Sequence, residues 1–301
     1  MVKSSMLAES VVVVTGASSG IGLAAARAFA QRGARLALAA RENEALLEAA
    51  RACEELGAEV IVVPTDVTDE AMVQALARAA VTHFGRIDVW VNNAAIMFFG
   101  SLLDVPSESF KRVIETNLLG YVHGARAALP IFLAQGRGIL INNVSGWGLA
   151  GAPFVSSYVT SKFGVVGFSE ALRQELAAYP DIHVCMLFPP AIDTPIYQHA
   201  GNTTGREVRP PPPVYRARAA AEAIVALAQR PEPRKSVGAA GVLLVALQRL
   251  SPGLAARLMN WLTRSFSIGT ALAPQTLGNS FEPKGPHAVS GGWSRLGKRR
   301  G

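Results

Sequence analysis

The sequence is poor in cysteine. Two occur in 301 residues, Cys53 and Cys185, and they form no CxxC pair. A disulfide framework is thereby excluded, and a reducing compartment, the cytoplasm, is the expected setting. The five histidines, His83, His123, His183, His199 and His287, are scattered without ligand spacing, so no metal site is expected. Acidic residues are also scarce: 22 Asp and Glu against 29 Lys and Arg leave a net charge of +7. Four of those cations, Arg295, Lys298, Arg299 and Arg300, sit in the final residues, and the others are dispersed. This is the pattern of a solvated surface with a basic tail, not of a nucleic-acid face, and it also suits an anionic cofactor. Long apolar runs are missing too. The longest candidate, 237–247, stops well short of the roughly 18 residues a spanning helix needs. The opening "MVKSSMLAESVVVVTG" has a short apolar run leading straight into a glycine turn, so no signal peptide is expected.

What is present is apolar bulk. Half the residues are hydrophobic and 17% are charged, enough for a large core and too little charge for global disorder. Short β-branched runs at 11–14, 35–40, 59–63, 88–92, 138–144 and 182–188 alternate with helical patterns at 21–31, 44–56, 70–84, 107–133 and 155–178. Several runs are apolar nearly throughout, as strands buried on both faces are. The alternation predicts βαβ units and a doubly wound parallel sheet of the α/β class. Residues 200–215, with prolines at 210–213, are expected to be irregular. A helix at 217–229, a last strand near 235–237 and helices at 242–250 and 254–264 follow. The last of these opens with Ser251 as N-cap and Pro252 at N1. Residues 291–301 look frayed. The expected division is a nucleotide-binding and catalytic domain at 1–237, with a lid at about 191–215, and a helical extension at 238–301 ending in a flexible basic tail.

"VVVVTGASSGIG" is a strand, a tight turn and a helix start, with Gly16, Gly20 and Gly22 in GxxxGxG spacing. Such glycines let backbone approach a pyrophosphate while the helix N-terminus supplies donors; alone, the pattern is also a structural turn. At the end of the second strand a carboxylate would bind a free ribose 2′-hydroxyl. Here Ala40 is followed by Arg41, a pair that suits a 2′-phosphate, unless Arg41 merely solvates a loop. NADP(H) is therefore favoured over NAD(H). In "SSYVTSKFG", Tyr158 and Lys162 are four residues apart and share one helix face.

"TGASSGIG" at 15–22, "NNAA" at 92–95, Ser145 and Tyr158-x-x-x-Lys162, in that order, resemble the short-chain dehydrogenase/reductase family over about 11–194. Asp66 in "PTDV" and Asn117 in "ETNLLG" extend the match. The resemblance implies a Rossmann-type fold and hydride transfer to or from a nicotinamide cofactor. It makes Tyr158 the general acid in carbonyl reduction and the base in alcohol oxidation, with Lys162 favouring its phenolate and binding the nicotinamide ribose. Ser145 would hydrogen-bond the substrate oxygen, and Asn117 would hold a proton-relaying water behind Lys162. Gly16, Ser18, Ser19, Gly20, Ile21 and Gly22 would cradle the dinucleotide. Asp66 and Val67 would bracket the adenine, with Asn93 and Ala94 beside its ribose. Pro189, Ile192 and Thr194 match the segment facing the carboxamide. Taken singly, Ser145 is also a turn former, Asn117 a locally bonded helix residue and Asp66 an N-cap. The chain departs from the family at Ala95 and Pro190, where glycine is common; Pro190 implies a differently oriented nicotinamide loop.

The lid offers Tyr197, His199, Asn202, Thr203, Thr204 and Arg206, although loops are polar by default. Met97, Phe98 and Phe99 suggest an apolar pocket wall or plain core. A lipophilic ketone, aldehyde or alcohol is the expected small-molecule partner. The helix at 254–264 is expected to dock on the domain or a subunit, with peripheral membrane contact the minority reading. The resemblance also implies a homodimer or homotetramer built through the fourth and fifth helices. Two alternatives stand beside the reductase: a nucleotide-sensing protein on the same fold, and a related lyase or epimerase.

Overall fold

The computed structural model describes residues 7–293. Its centre is a seven-stranded parallel sheet: β1 (Val11–Thr15), β2 (Arg35–Ala40), β3 (Val60–Pro64), β4 (Val89–Asn92), β5 (Gly138–Asn143), β6 (Ile182–Phe188) and β7 (Arg234–Ser236). Strand order is β7-β6-β5-β4-β1-β2-β3, so the chain runs outward from β1 in one direction and from β4 in the other. The reversal between β1 and β4 opens a crevice at the carboxyl ends of the strands, where ligands of doubly wound sheets bind.

Helices cover both faces. On one side lie α1 (Gly20–Ala30), α2 (Asn43–Glu54) and α7 (Ala217–Gln229), and on the other α3 (Glu70–Phe84), α5 (Gly120–Gln135) and α6 (Ser156–Glu175). That double cover is why all five residues of "VVVVT" are buried and why β1 shows no apolar–polar alternation. Ala24, Ala25 and Ala28 of α1 share one core cluster with Ala220, Ala221 and Ile224 of α7, small side chains that let the two helices lie close. Both cysteines are buried, and burial pushes each thiol up to about 11. No helix among the described residues is long and apolar enough to cross a membrane.

Three local expectations are corrected. The helix expected at 107–133 is broken into α4 (Ser107–Ile114), a π-helical turn (Glu115–Leu119) and α5; an extra residue per turn there carries Asn117 inward. The segment 200–215 is not irregular throughout. Gly201–Asn202 pairs with Phe98–Phe99, Arg206–Val208 with Ile268–Leu272, and Tyr215–Arg216 with Ile192–Asp193. The prolines stop pairing only where they remove N–H donors. Two further helices, α8 (Gly238–Leu250) and α9 (Pro252–Leu262), follow β7; Ser251 stands at the α9 N-cap with Pro252 at N1, but its side chain makes no capping bond. Finally, Gly291 and Trp293, expected frayed, are hydrogen-bonded to the lid at Gln198, Asp193 and Thr194. The basic residues of the tail, Arg295 onward, lie outside the described residues.

Candidate active site

A cleft of about 290 Å³ runs along the carboxyl edge of β1, β2, β4 and β5. Every proposed catalytic and cofactor residue lines it except Gly22 and Asn117, which lie behind its wall.

The glycine turn is built as its sequence demands. Gly16 and Gly20 have φ of +65° and +55°, a region that penalises any Cβ. Gly22 serves packing: a Cβ there would meet the Gly16 oxygen at 2.1 Å and the Asn93 amide at 2.6 Å. Asn93 Nδ2 donates to the Thr15 oxygen at 2.9 Å, and Asn143 Nδ2 donates to Asn93 Oδ1 at 2.9 Å. Asn93 therefore locks the turn to β4. Ser19, the N-cap of α1, makes no capping bond with its side chain, and the first amide of that helix, Gly20 N, donates to Ala288 O at 2.9 Å.

At the adenosine end, Asp66 Oδ1 accepts from the backbone and hydroxyl of Thr68 at 3.0 and 2.9 Å, and Asp66 Oδ2 pairs with Arg112. Burial pushes its carboxyl upward, but these bonds and the guanidinium outweigh it and hold the pKa below the usual range. The N-cap of α3 is Asp69, which accepts from Ala71 and Met72, so Asp66 is free of that structural duty. Arg41 is half-buried; burial lowers its pKa most, Asp66 opposes this, and Arg112 adds to it. Its Nη2 donates to the Asn279 oxygen at 2.8 Å. Val67 and Ala94 line the cleft between Asp66 and the glycine turn.

At the other end, Tyr158 and Lys162 project from adjacent turns of α6, nine-tenths or more buried. The Tyr158 hydroxyl hydrogen-bonds Ser145, yet desolvation dominates and pushes it up to about 12. Lys162 Nζ donates to the Asn143 oxygen at 2.9 Å and to the Tyr121 hydroxyl at 3.0 Å, and burial pushes it down to about 7. The Nζ lies 5.6 Å from the Tyr158 ring centre. Ser145 has φ 144° and ψ 158°, a conformation otherwise left to glycine, and its Oγ accepts from Trp147 N at 3.1 Å. Thus the turn-forming role and the expected catalytic position coincide in one residue. Asn117 Oδ1 accepts from Ile96 N at 2.9 Å, while Nδ2 donates to Ile96 O at 2.9 Å and Ser161 Oγ at 3.2 Å. Its amide pins the loop after β4 to α6.

Sequence reasoning missed Tyr121, the hydroxyl that holds Lys162 in place. Its spacing from Asn117, one helical turn, was the available signal. It also missed Trp147, whose ring stands edge-on to Tyr158 at 5.8 Å, and the cleft residues Asn279, Pro283, Lys284 and His287 from the far end of the chain. Among the lid candidates, Tyr197 and His199 line the cleft, whereas Asn202, Thr204 and Arg206 bond to one another within their own turn. Pro190 lines the cleft beside Pro189, whose oxygen is fixed by Gly146 N at 2.8 Å.

The residues fit a dinucleotide. The positive-φ glycine turn, the cationic Arg41 and the buried but unpartnered Oδ1 of Asn143 all border one elongated cleft.

Residues 10–205 match the family model described as short chain dehydrogenase. The chain is 39% identical over 260 residues to the uncharacterized oxidoreductase YxnA of Bacillus subtilis, covering 84% of this chain and 72% of that one. It is similar to an alcohol dehydrogenase of the archaeon Thermococcus sibiricus solved with 5-hydroxy-NADP, at TM-score 0.67 and 29% identity over 76% of this chain and 96% of that one. It is also similar to a short chain dehydrogenase/reductase of Burkholderia phymatum solved with NAD, at TM-score 0.73 and 27% identity over 89% and 99%.

Proposed function

The chain belongs to the short-chain dehydrogenase family and is an oxidoreductase of CH–OH groups; from that premise we propose that it is an NADP(H)-dependent reductase of lipophilic ketones or aldehydes. The observation that carries this reading is the single cleft joining Arg41 at one end to the Ser145–Tyr158–Lys162 group at the other. A bound nicotinamide dinucleotide supplies or accepts the hydride. The chain's own residues hold and move the proton. With its pKa near 12 and Ser145 beside it, Tyr158 keeps its proton in the free protein. It is thus set to give that proton to a nascent alkoxide, while Ser145 donates a hydrogen bond to the same oxygen. Lys162, fixed by Tyr121 and Asn143, stands where it supports the phenolate left behind.

The NADP(H) preference rests on charge. Ala40 offers no carboxylate to a 2′-hydroxyl, and Arg41 offers a guanidinium to a 2′-phosphate. Glu42 would repel that phosphate, but it is paired with His287 Nε2 at 2.6 Å. The lipophilic substrate follows from the walls beyond Tyr158, formed by Met97, Trp147, Tyr197, Leu244, Met259 and Leu262. Exposed Leu133 of α5 and Phe163 of α6 suit assembly into a homo-oligomer through those helices.

The test is a fluorescence titration with NADPH and NADH, then a screen of aldehydes and ketones for cofactor oxidation. Binding of neither cofactor below millimolar concentration ends the enzyme reading. Tyr158→Phe is expected to lower turnover at least about a thousandfold while cofactor still binds; retained turnover removes Tyr158 from the chemistry.

A further inference from the structure

The C-terminal segment Asn279–Trp293 touches both rims of the cleft. On the rim formed by the sheet and its helices, Asn279 O accepts from Arg41 at 2.8 Å and Ser280 O from Arg112 Nε at 2.9 Å. Farther along, His287 pairs with Glu42, and Ala288 O accepts from the Gly20 amide at 2.9 Å. On the lid rim, Asn279 N donates to His199 O at 2.8 Å and Ser290 Oγ to Asp193 Oδ2 at 2.9 Å. Trp293 closes the path: its backbone amide donates to Asp193 Oδ1 at 2.9 Å and its indole to Thr194 O at 3.1 Å. The segment therefore passes from the adenosine end, over the glycine turn, to the nicotinamide loop.

Glycines fix both ends of this path. A Cβ on Gly278 would meet His199 O at 2.3 Å, and one on Gly291 would meet Thr194 O at 2.5 Å. Between them Asn279, Pro283, Lys284 and His287 line the cavity, which persists beneath. One buried polar atom at this roof, Oδ1 of Asn279, makes no hydrogen bond within the protein. A buried polar atom left unmatched costs about 1–3 kcal/mol, so this atom is suited to a polar group of a ligand or to a water.

We infer that Asn279–Trp293 is a strap that completes the cofactor site: the dinucleotide lies enclosed beneath it and enters or leaves only when the strap is off the lid. The inference rests on the dinucleotide reading above. Because the strap bridges the rims, its loss acts on departure more than on encounter.

The experiment follows NADPH release by stopped-flow displacement with excess NADP+. The full chain is compared with a chain ending at Gly278 and with Gly291→Ala, which lifts the strap from Thr194 without removing it. Release at least about tenfold faster in both variants supports the strap; release within about twofold of the full chain, or slower, overturns it. Trypsin gives a readout on the unaltered chain, since Lys284 is the only Lys or Arg between Arg264 and Arg295. Saturating NADPH is expected to slow the cut at Lys284 about tenfold, and an unchanged rate overturns the enclosure. NADPH failing to bind any of these chains sinks the dinucleotide reading and the strap with it; binding with unaltered release sinks the strap alone.

Discussion

Tyr158 and Lys162 each meet the same force, burial, and it drives both toward neutrality. Lys162 falls from an ordinary 10.5 to about 7. Between those values an unfolded chain holds a proton that the folded chain has shed, so this group's contribution to stability rises with pH across the window; its penalty is complete below about 7. Urea unfolding of the wild type and Lys162→Met from pH 6 to 10 reads this directly, the wild type gaining relative to the variant as pH rises. A parallel pair of curves would contradict a depressed Lys162. Arg41 carries the cofactor choice. Arg41→Ala is expected to weaken NADPH about 10- to 100-fold and NADH about twofold or less, since a bidentate guanidinium–phosphate pair is lost in one case only. Equal losses, measured by titration, would refute the 2′-phosphate role. These residues were legible in the sequence because each is tied to a local pattern, the YxxxK spacing or the end of an apolar run. Tyr121 offered only its one-turn spacing from Asn117, since its value lies in a contact with Lys162 across 41 positions.

At the level of elements, the glycine turn illustrates how much a local pattern can and cannot reveal. The spacing of Gly16, Gly20 and Gly22 announced a tight strand-to-helix turn. It did not reveal that Gly22 sits against Gly16 O and Asn93, a contact between β1, α1 and β4. Gly22→Ala is expected to destabilise the fold by about 1–3 kcal/mol through overpacking and to weaken cofactor binding. A thermal melt with an unchanged midpoint would show that the turn can yield. The strands and helices of the sheet were readable because two-faced burial writes itself into β-branched runs. The π-helical turn at Glu115–Leu119 was hidden, as nothing in "ETNLL" departs from ordinary helix-forming sequence. The lid strands were hidden for a different reason: Arg206–Val208 finds its partner at Ile268–Leu272, far beyond any local window.

For the whole molecule, we expect assembly through α5 and α6. Phe163 is 43% exposed and Leu133 41% exposed, on the two helices proposed to meet a second copy. Phe163→Glu is expected to convert the oligomer to a monomer in size-exclusion chromatography with light scattering. A wild-type chain that is already monomeric would dismiss the interface. The contact of Arg41 with Asn279 spans 238 residues, and it has a consequence in time. Ribosomes add about 5–20 residues per second, and the leading part of a chain folds first. The glycine turn thus leaves the ribosome some 10–50 s before its roof is made. During that interval the growing polypeptide lacks the segment that bridges the cleft, so the two rims are joined only after residues 279–293 have been made.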